Sequence, residues 1–385
     1  MHLPPQSSAL FALALLALPL QASAKELPKV IRFGEVNSTS LRSVGGKPLS
    51  AGLVALAEHL GYFEEEFGKN GPKVQEVFFS GTGPAQNEAL AQGDIDFGSY
   101  GGVPNVLGLA NGIPAHIVMT RRSTGAGNNY FIAVRPDSPI KTIDDLRGKR
   151  ITVLKGTNPY QTLVLLLESQ GISEKAVNLT NLQGAEALVA FNAGAVDAVF
   201  GGLNLLILRD QEKVRILADT KHFRLPASAS GTLVNDKFAN GYPDLVVKVV
   251  KALVRASWWS SEESNREALV KFVSERSLSY QYVKEDYEGS LNERYNPLID
   301  ESSVEAFKAI VQFSFQHRLI RREADEPQIR AWFAPQYLQT ALKELKLEHY
   351  WRAEGQDSAP TAKGAEGGSN AVAESRQNDR APRTN

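Results

Sequence analysis

Three short segments carry the residues best suited to hold a small polar molecule: Ser80-Gly-Thr-Gly-Pro84, Tyr100-Gly-Gly-Val-Pro104 and Gly156-Thr-Asn-Pro159. Each ends a strand-like run and puts proline near the first turn of a helix, where a missing N–H costs nothing. Each also sets glycine, serine, threonine or asparagine just before that turn. The outcome is a set of helix N-termini whose backbone N–H groups and positive dipole ends suit an anionic group. Ordinary capping explains any one of them. Three together, in both halves of the chain, point to ligand contact.

Catalytic constellations find little support. The six histidines, His2, His59, His116, His222, His317 and His349, are scattered and lack the His-Glu-x-x-His spacing that holds zinc. Neither a Gly-x-Ser-x-Gly elbow nor a phosphate-binding Walker sequence is present. Gly81-Thr-Gly83 is like the start of a dinucleotide fingerprint, but Gln86 replaces the third glycine. Asp94 and Asp96 belong to a turn and a strand, point differently, and are joined by no ligand cluster. The expectation is a protein with no catalytic residue, no metal and no cofactor.

The elements that must position the three segments alternate. A strand at 30–36, a helix at 53–62, a strand at 74–79, a helix at 84–92 and a strand at 95–99 argue for a parallel sheet with helices on its faces. The order returns with a strand at 150–154, a helix at 159–170 stopped by Gly171, a strand at 177–182, a helix at 185–193 and a strand at 196–200. The copies share wording: Ala89-Leu-Ala-Gln-Gly-Asp-Ile-Asp96 aligns with Ala190-Phe-Asn-Ala-Gly-Ala-Val-Asp197, and Gly101-Gly102 and Gly201-Gly202 follow. Two similar α/β lobes are implied. The small-residue stretch 123–129 reads as a crossing between them, before a strand at 130–134, and a second crossing is expected around 225–231, before a strand at 232–234. Helical periodicity is expected at 243–259, 266–276 and 301–317, with a final stretch at 327–347 wrapping back onto the first lobe. Two crossings make a hinge, and a hinged pair of lobes makes a cleft that closes on a ligand.

Composition narrows the class further. Lys plus Arg number 42 against 43 Asp plus Glu, so neither a nucleic-acid surface nor a polybasic membrane patch is indicated. The absence of cysteine excludes a disulfide framework and a lipid-attachment site, and a chain this long buries enough apolar surface without staples. The apolar run 9–20 followed by Ala22-Ser23-Ala24 reads as a cleaved signal peptide, 1–24, although no Lys or Arg precedes the run. The expected location is the periplasm. Residues 352–385 contain no Leu, Ile, Phe, Tyr or Trp and read as a disordered tail. The expected organisation is a first lobe from 25–126, a second from 127–230, and a helical return to the first from 231–351.

Over 29–350 the chain resembles the periplasmic solute-binding proteins of aliphatic sulfonate, taurine and nitrate ABC transporters. The resemblance rests on Leu60-Gly-Tyr-Phe63, Ala89-Leu-Ala-Gln-Gly-Asp-Ile-Asp-Phe-Gly98, Ser138-Pro-Ile-Lys-Thr-Ile-Asp-Asp-Leu-Arg-Gly-Lys149 and Gly194-Ala-Val-Asp-Ala198. It implies the two-lobed periplasmic binding protein fold of type II, each lobe a mostly parallel α/β sheet flanked by helices, joined by a two-crossing hinge. It further implies a monomer that captures a small organic anion, an aliphatic sulfonate, and delivers it to the transmembrane permease of an ABC importer, with no nucleic-acid partner. Members hold an oxyanion by backbone N–H and hydroxyl groups. The positions that match are Ser80, Gly81, Thr82, Ser99, Tyr100, Thr157 and Asn158, followed by Gly202 and Asn204. The end of the first strand departs from the glutamine-like residue of many members and carries Glu35-Val-Asn37. Asn37 joins the candidate contacts, whereas a Glu35 carboxylate would repel an anion unless it points away or the ligand also carries an amine. The turn Phe200-Gly-Gly-Leu-Asn204 lacks the Trp and Asp often found there. Nitrate, taurine or a pyrimidine precursor therefore stay open as ligands, as do a receptor-coupled sensor and an enzyme on the same fold.

Overall fold

The computed structural model describes residues 26–36, 43–44, 47–80, 82–123, 129–226 and 228–352. The expected signal peptide, most of the first crossing and all of the expected tail except Arg352 lie outside the described residues. The described strands are β1 (Val30–Val36), β2 (Ser43–Val44), β3 (Lys47–Pro48), β4 (Lys73–Phe79), β5 (Phe97–Gly101) and β6 (Ala115–Ser123). They continue with β7 (Phe131–Val134), β8 (Arg150–Thr152), β9 (Asn178–Thr180), β10 (Ala198–Gly201), β11 (Arg215–Asp219) and β12 (Ser228–Asn235). Apart from the β2–β3 ribbon they form two five-stranded sheets, ordered β4-β1-β5-β12-β6 and β11-β7-β10-β8-β9.

The doubled pattern read from the sequence is present in the register. β1 runs parallel to β4 and β5, as β8 does to β9 and β10. Each sheet then admits one antiparallel strand in its interior: β12 lies between β5 and β6, and β7 between β10 and β11. In both cases it is the first strand after the chain has crossed from the other sheet. Sheet pairing resumes at Ser228, so the last three residues of the expected second lobe already belong to the first sheet.

The shared wording has a structural cause. In each copy a glycine, Gly93 or Gly194, takes a positive φ of 77° or 73° and closes the preceding helix. The chain then turns so that Asp96 or Asp197 meets an arginine at the start of the first strand. Asp96 accepts from the Arg32 backbone N–H at 2.7 Å and from its guanidinium at 2.8 and 3.2 Å. Asp197 accepts from Arg150 in the same three ways, at 2.8, 2.8 and 3.1 Å. These carboxylates tie strands together at the sheet edge away from the cleft, and neither lines the cavity.

Helices cover both faces of each sheet, as fully buried strands require. Pro243–Ser261 and Pro335–Leu345 pack with Leu53–His59 on one side of the first sheet. Thr82–Gln92, Gly102–Ala110 and Glu301–Gln316 fill the other side. Asn158–Ser169 supplies the core of the second sheet through buried Tyr160, Leu163 and Leu167. The expected final helix is interrupted at 332–334, where Ile117 N–H donates to Trp332 and Ala334 N–H to Ile117, at 2.9 and 2.8 Å. That detour lays the returning chain against β6 of the first sheet.

The Asp197 clamp makes a testable contribution to stability. Hydrogen bonding from Arg150 holds its carboxyl at about 2. A folded-state value below the unfolded one stabilises above pH ~4 and loses that effect as pH falls toward 2. Asp197→Asn is expected to cost about 1–2 kcal/mol at pH 7, discounted for the partly exposed arginine. Urea unfolding at pH 7 and at pH 2.5 should show the difference shrinking at the lower pH.

Candidate functional site

Parallel strands deliver every following helix from the same edge of the sheet, so helix starts collect there. In this chain the two such edges face one another across a cavity of about 740 Å³, a size within the roughly 300–1,000 Å³ usual for small-molecule sites. Ser80, Thr82, Ser99, Tyr100, Thr157, Asn158, Gly202 and Asn204 all line it. Asn37 and Gly81 lie outside the described residues. The start of Gly184–Asn192, from Gln183 to Glu186, is a further helix N-terminus on the cavity. No glycine–proline signal marks it in the sequence.

The lining residues are differently committed. Thr157 is buried; its hydroxyl donates to Leu154 O at 2.6 Å and accepts from Tyr160 N–H at 3.4 Å, which makes it a helix cap. The Tyr100 hydroxyl turns into the first lobe and donates to Asn87 Oδ1 at 2.6 Å, so this residue offers the cavity its ring. Burial pushes that phenol well above its ordinary range. Ser99 Oγ accepts from Thr232 Oγ1 at 3.3 Å. Thr82 is the strained member: a β-branched residue at φ 58°, with a buried Oγ1 that has no hydrogen-bond partner among the described residues. Strain of this kind collects at functional sites.

Asn158 bridges the two halves. Its Oδ1 accepts from Val103 N–H, the first turn of Gly102–Ala110, at 3.0 Å, and its Nδ2 donates to Ala229 O in β12 at 3.0 Å. One helix N-terminus expected to face a ligand is thus capped by a side chain from across the cleft. The approach is close enough that a Cβ on Gly101 would stand 2.4 Å from Asn158 Cγ. At the rim, Gln183 Nε2 donates to Ser80 O at 3.3 Å, a second bridge between the sheets.

Glu35 and Tyr100 apart, the charged and aromatic part of the site was not read from the sequence. Arg121 on β6 carries the only positive charge among the described lining residues. Its segment, Ile117-Val-Met-Thr-Arg-Arg122, combines a short apolar run with a basic pair, which is a signal for a strand but not for the cleft. Glu35 does point into the cavity. Burial first, then the neighbouring Glu76, pushes its carboxyl up to about 8, while Arg121 opposes the shift. Tyr130, the first lining residue after the crossing, stacks on Phe200 with ring centroids 5.4 Å apart. Burial carries its hydroxyl up to about 12. Just after the crossing, Asn129 N–H donates to Asp286 Oδ1 at 3.4 Å, and Asp286 pairs with the largely buried Arg294 at 2.9 Å. Among the described residues no cluster of three His, Cys, Asp or Glu could hold a metal.

A family model described as NMT1/THI5 like matches residues 49–283. A Bacillus subtilis (strain 168) protein named "Putative aliphatic sulfonates-binding protein" is 30% identical over 273 residues, covering 70% of this chain and 80% of that protein. The periplasmic sulfonate-binding protein SsuA from Methylobacillus flagellatus KT superposes with a TM-score of 0.66 at 28% identity, over 88% of this chain and 99% of its own. The desulfurization enzyme DSZB superposes with a TM-score of 0.60 at 17% identity, over 83% of this chain and 100% of its own, a likeness of fold alone.

The Asn158 bridge leads to a prediction about domain motion. Asn158→Ala removes two hydrogen bonds between the sheets, each worth about 1 kcal/mol. The ligand-free protein should then show a larger radius of gyration by small-angle scattering, and Gly101→Ala should shift it in the same direction.

Proposed function

The chain belongs to the NMT1/THI5 like family, and on that premise we propose that it is the extracytoplasmic substrate-binding component of an ABC importer. It captures an aliphatic sulfonate between its two sheets and hands it to the permease. The observation that carries this reading is the cavity itself: one guanidinium, Arg121, set among helix starts from both halves of a hinged molecule. A sulfonate spreads one charge over three oxygens, which suits several N–H and O–H donors converging from different elements. Arg121 is the charge partner, and Ser80, Thr82, Ser99, Gly202 and Asn204 supply donors; Gly81 and Asn37 remain proposed contacts on the sequence alone. Thr157 and Asn158 position the walls rather than carry the charge. Phe33, Tyr130 and Phe200 give an apolar surface for the alkyl part.

The protein performs no reaction on its ligand. The similarity to proteins named as sulfonate-binding supports this, and the described lining contains neither His nor Cys to act as base or nucleophile. The proposed location is the periplasm, after removal of 1–24. Among the described residues no helix is long and apolar enough to cross a membrane.

A thermal-shift and calorimetric screen against alkanesulfonates, nitrate, sulfate and pyrimidines tests the assignment. A specific ligand at 100 times its Kd should stabilise the protein by about 2.7 kcal/mol. Stabilisation by a pyrimidine with none from any sulfonate overturns the ligand class, and turnover of the bound compound overturns the non-enzyme reading. Arg121→Ala is expected to weaken sulfonate binding about 10- to 100-fold, as loss of charge-assisted bonds worth ~1.5–3 kcal/mol predicts.

A further inference from the structure

We propose that Glu35 makes the site selective for a ligand bearing an amine as well as an oxyanion, an ω-aminoalkanesulfonate whose ammonium meets Glu35 while its sulfonate meets Arg121. This deepens the sulfonate reading above and rests on it.

Placement comes first. Glu35 ends β1 and Arg121 lies near the end of β6, on the same edge of the same sheet. The order β4-β1-β5-β12-β6 puts three steps between their strands, roughly 14 Å at the usual inter-strand spacing. Both side chains line the cavity from strands that far apart, so a single ligand that meets both must carry its two charges at opposite ends. A short alkyl chain with an ammonium at one end and a sulfonate at the other meets that requirement. Gly52 lies beside Glu35: a Cβ there would make ordinary van der Waals contact with its two carboxylate oxygens, at 3.5 and 3.7 Å.

The surroundings of Glu35 call for a cation. On β4, Glu76 pairs in register with Phe33, two residues before Glu35, so the two carboxyl groups share one face of neighbouring strands. Glu76 Oε1 is buried without a hydrogen-bond partner among the described residues, and burial raises its carboxyl too, against a bond to Ser50. Of the two acids only Glu35 lines the cavity, with Glu76 on the strand beside it; a positive charge arriving at Glu35 relieves its burial and its repulsion from Glu76 together. Charge balance agrees. A plain alkanesulfonate pairs with Arg121 and leaves Glu35 either repelling it or holding a proton. A zwitterion pairs with both.

The chemistry supplies a signature. With its carboxyl at about 8, Glu35 in the empty site is mainly protonated at pH 7, so an ammonium that pairs with the carboxylate displaces that proton, about one per ligand bound. Isothermal titration of the full chain with 2-aminoethanesulfonate and with ethanesulfonate, each in two buffers of different ionisation enthalpy, reads both affinity and proton release. The expected result is at least about tenfold preference for the amine, with release of about one proton for that ligand alone. In Glu35→Gln the preference should collapse toward unity and the proton release should vanish. Equal or tighter binding of ethanesulfonate by the wild-type chain overturns the role of Glu35 while leaving the sulfonate reading intact, as does a preference that survives Glu35→Gln. Binding of neither compound by the wild-type chain overturns the sulfonate reading itself. The proton count on the unsubstituted protein decides the matter even if the variant folds poorly.

Discussion

Each sheet is completed by a strand that arrives from the other side of the hinge, and the rest of the architecture depends on that exchange. β7 enters the second sheet directly after the first crossing, and β12 enters the first sheet directly after the second. Both run against their neighbours and both sit inside the sheet, where their backbone groups pair on two sides. The hinge strands are therefore part of the two sheets that they complete. The same exchange brings Ala229, Ser230 and Thr232 to the cavity from one crossing and Tyr130 from the other. The cleft is built from the places where the chain changes lobes.

Within the cleft, polar groups divide into those that hold the protein together and those that face the cavity. Thr157, Tyr100 and Asn158 make short bonds to protein partners. Such bonds fix wall positions, and a buried donor already satisfied gains little from a ligand. Glu35 is in a different condition: burial and a neighbouring acid make its ionisation costly. A binding site kept electrostatically unsatisfied in this way gains most from the partner that supplies the missing charge.

Much of this fold was legible in the sequence because the copies carry their own punctuation. Gly93 and Gly194, each followed by Asp three residues later, mark the same helix stop and the same strand clamp. The pairing of β6 with β12 was not legible, since it joins segments more than a hundred residues apart and neither carries a local turn signal toward the other. Arg121 escaped for the same reason, as a basic pair at the end of an unrecognised strand reads as solvated surface. Tyr100 lines the cavity, but only packing decides that its hydroxyl turns to Asn87. Asn158 looks like a cap or a ligand contact from its position before Pro159, and it does cap a helix, although one in the opposite half of the molecule. Spacing along a chain identifies which residues sit at a helix start. It does not say which helix they serve.

The interior position of β12 also governs how the chain reaches this state. Phe97 finds its partner Val234, and Ser123 its partner Ser228, only after the whole second sheet has been synthesised. Closing loops of that length costs entropy before any contact rewards it, and topologies rich in such pairings fold slowly. Until residue 235 emerges, the first sheet stops at β5 on one side and strands β6 on the other. The last strand to arrive thus decides when the first sheet becomes whole, and that moment comes only once most of the chain is present.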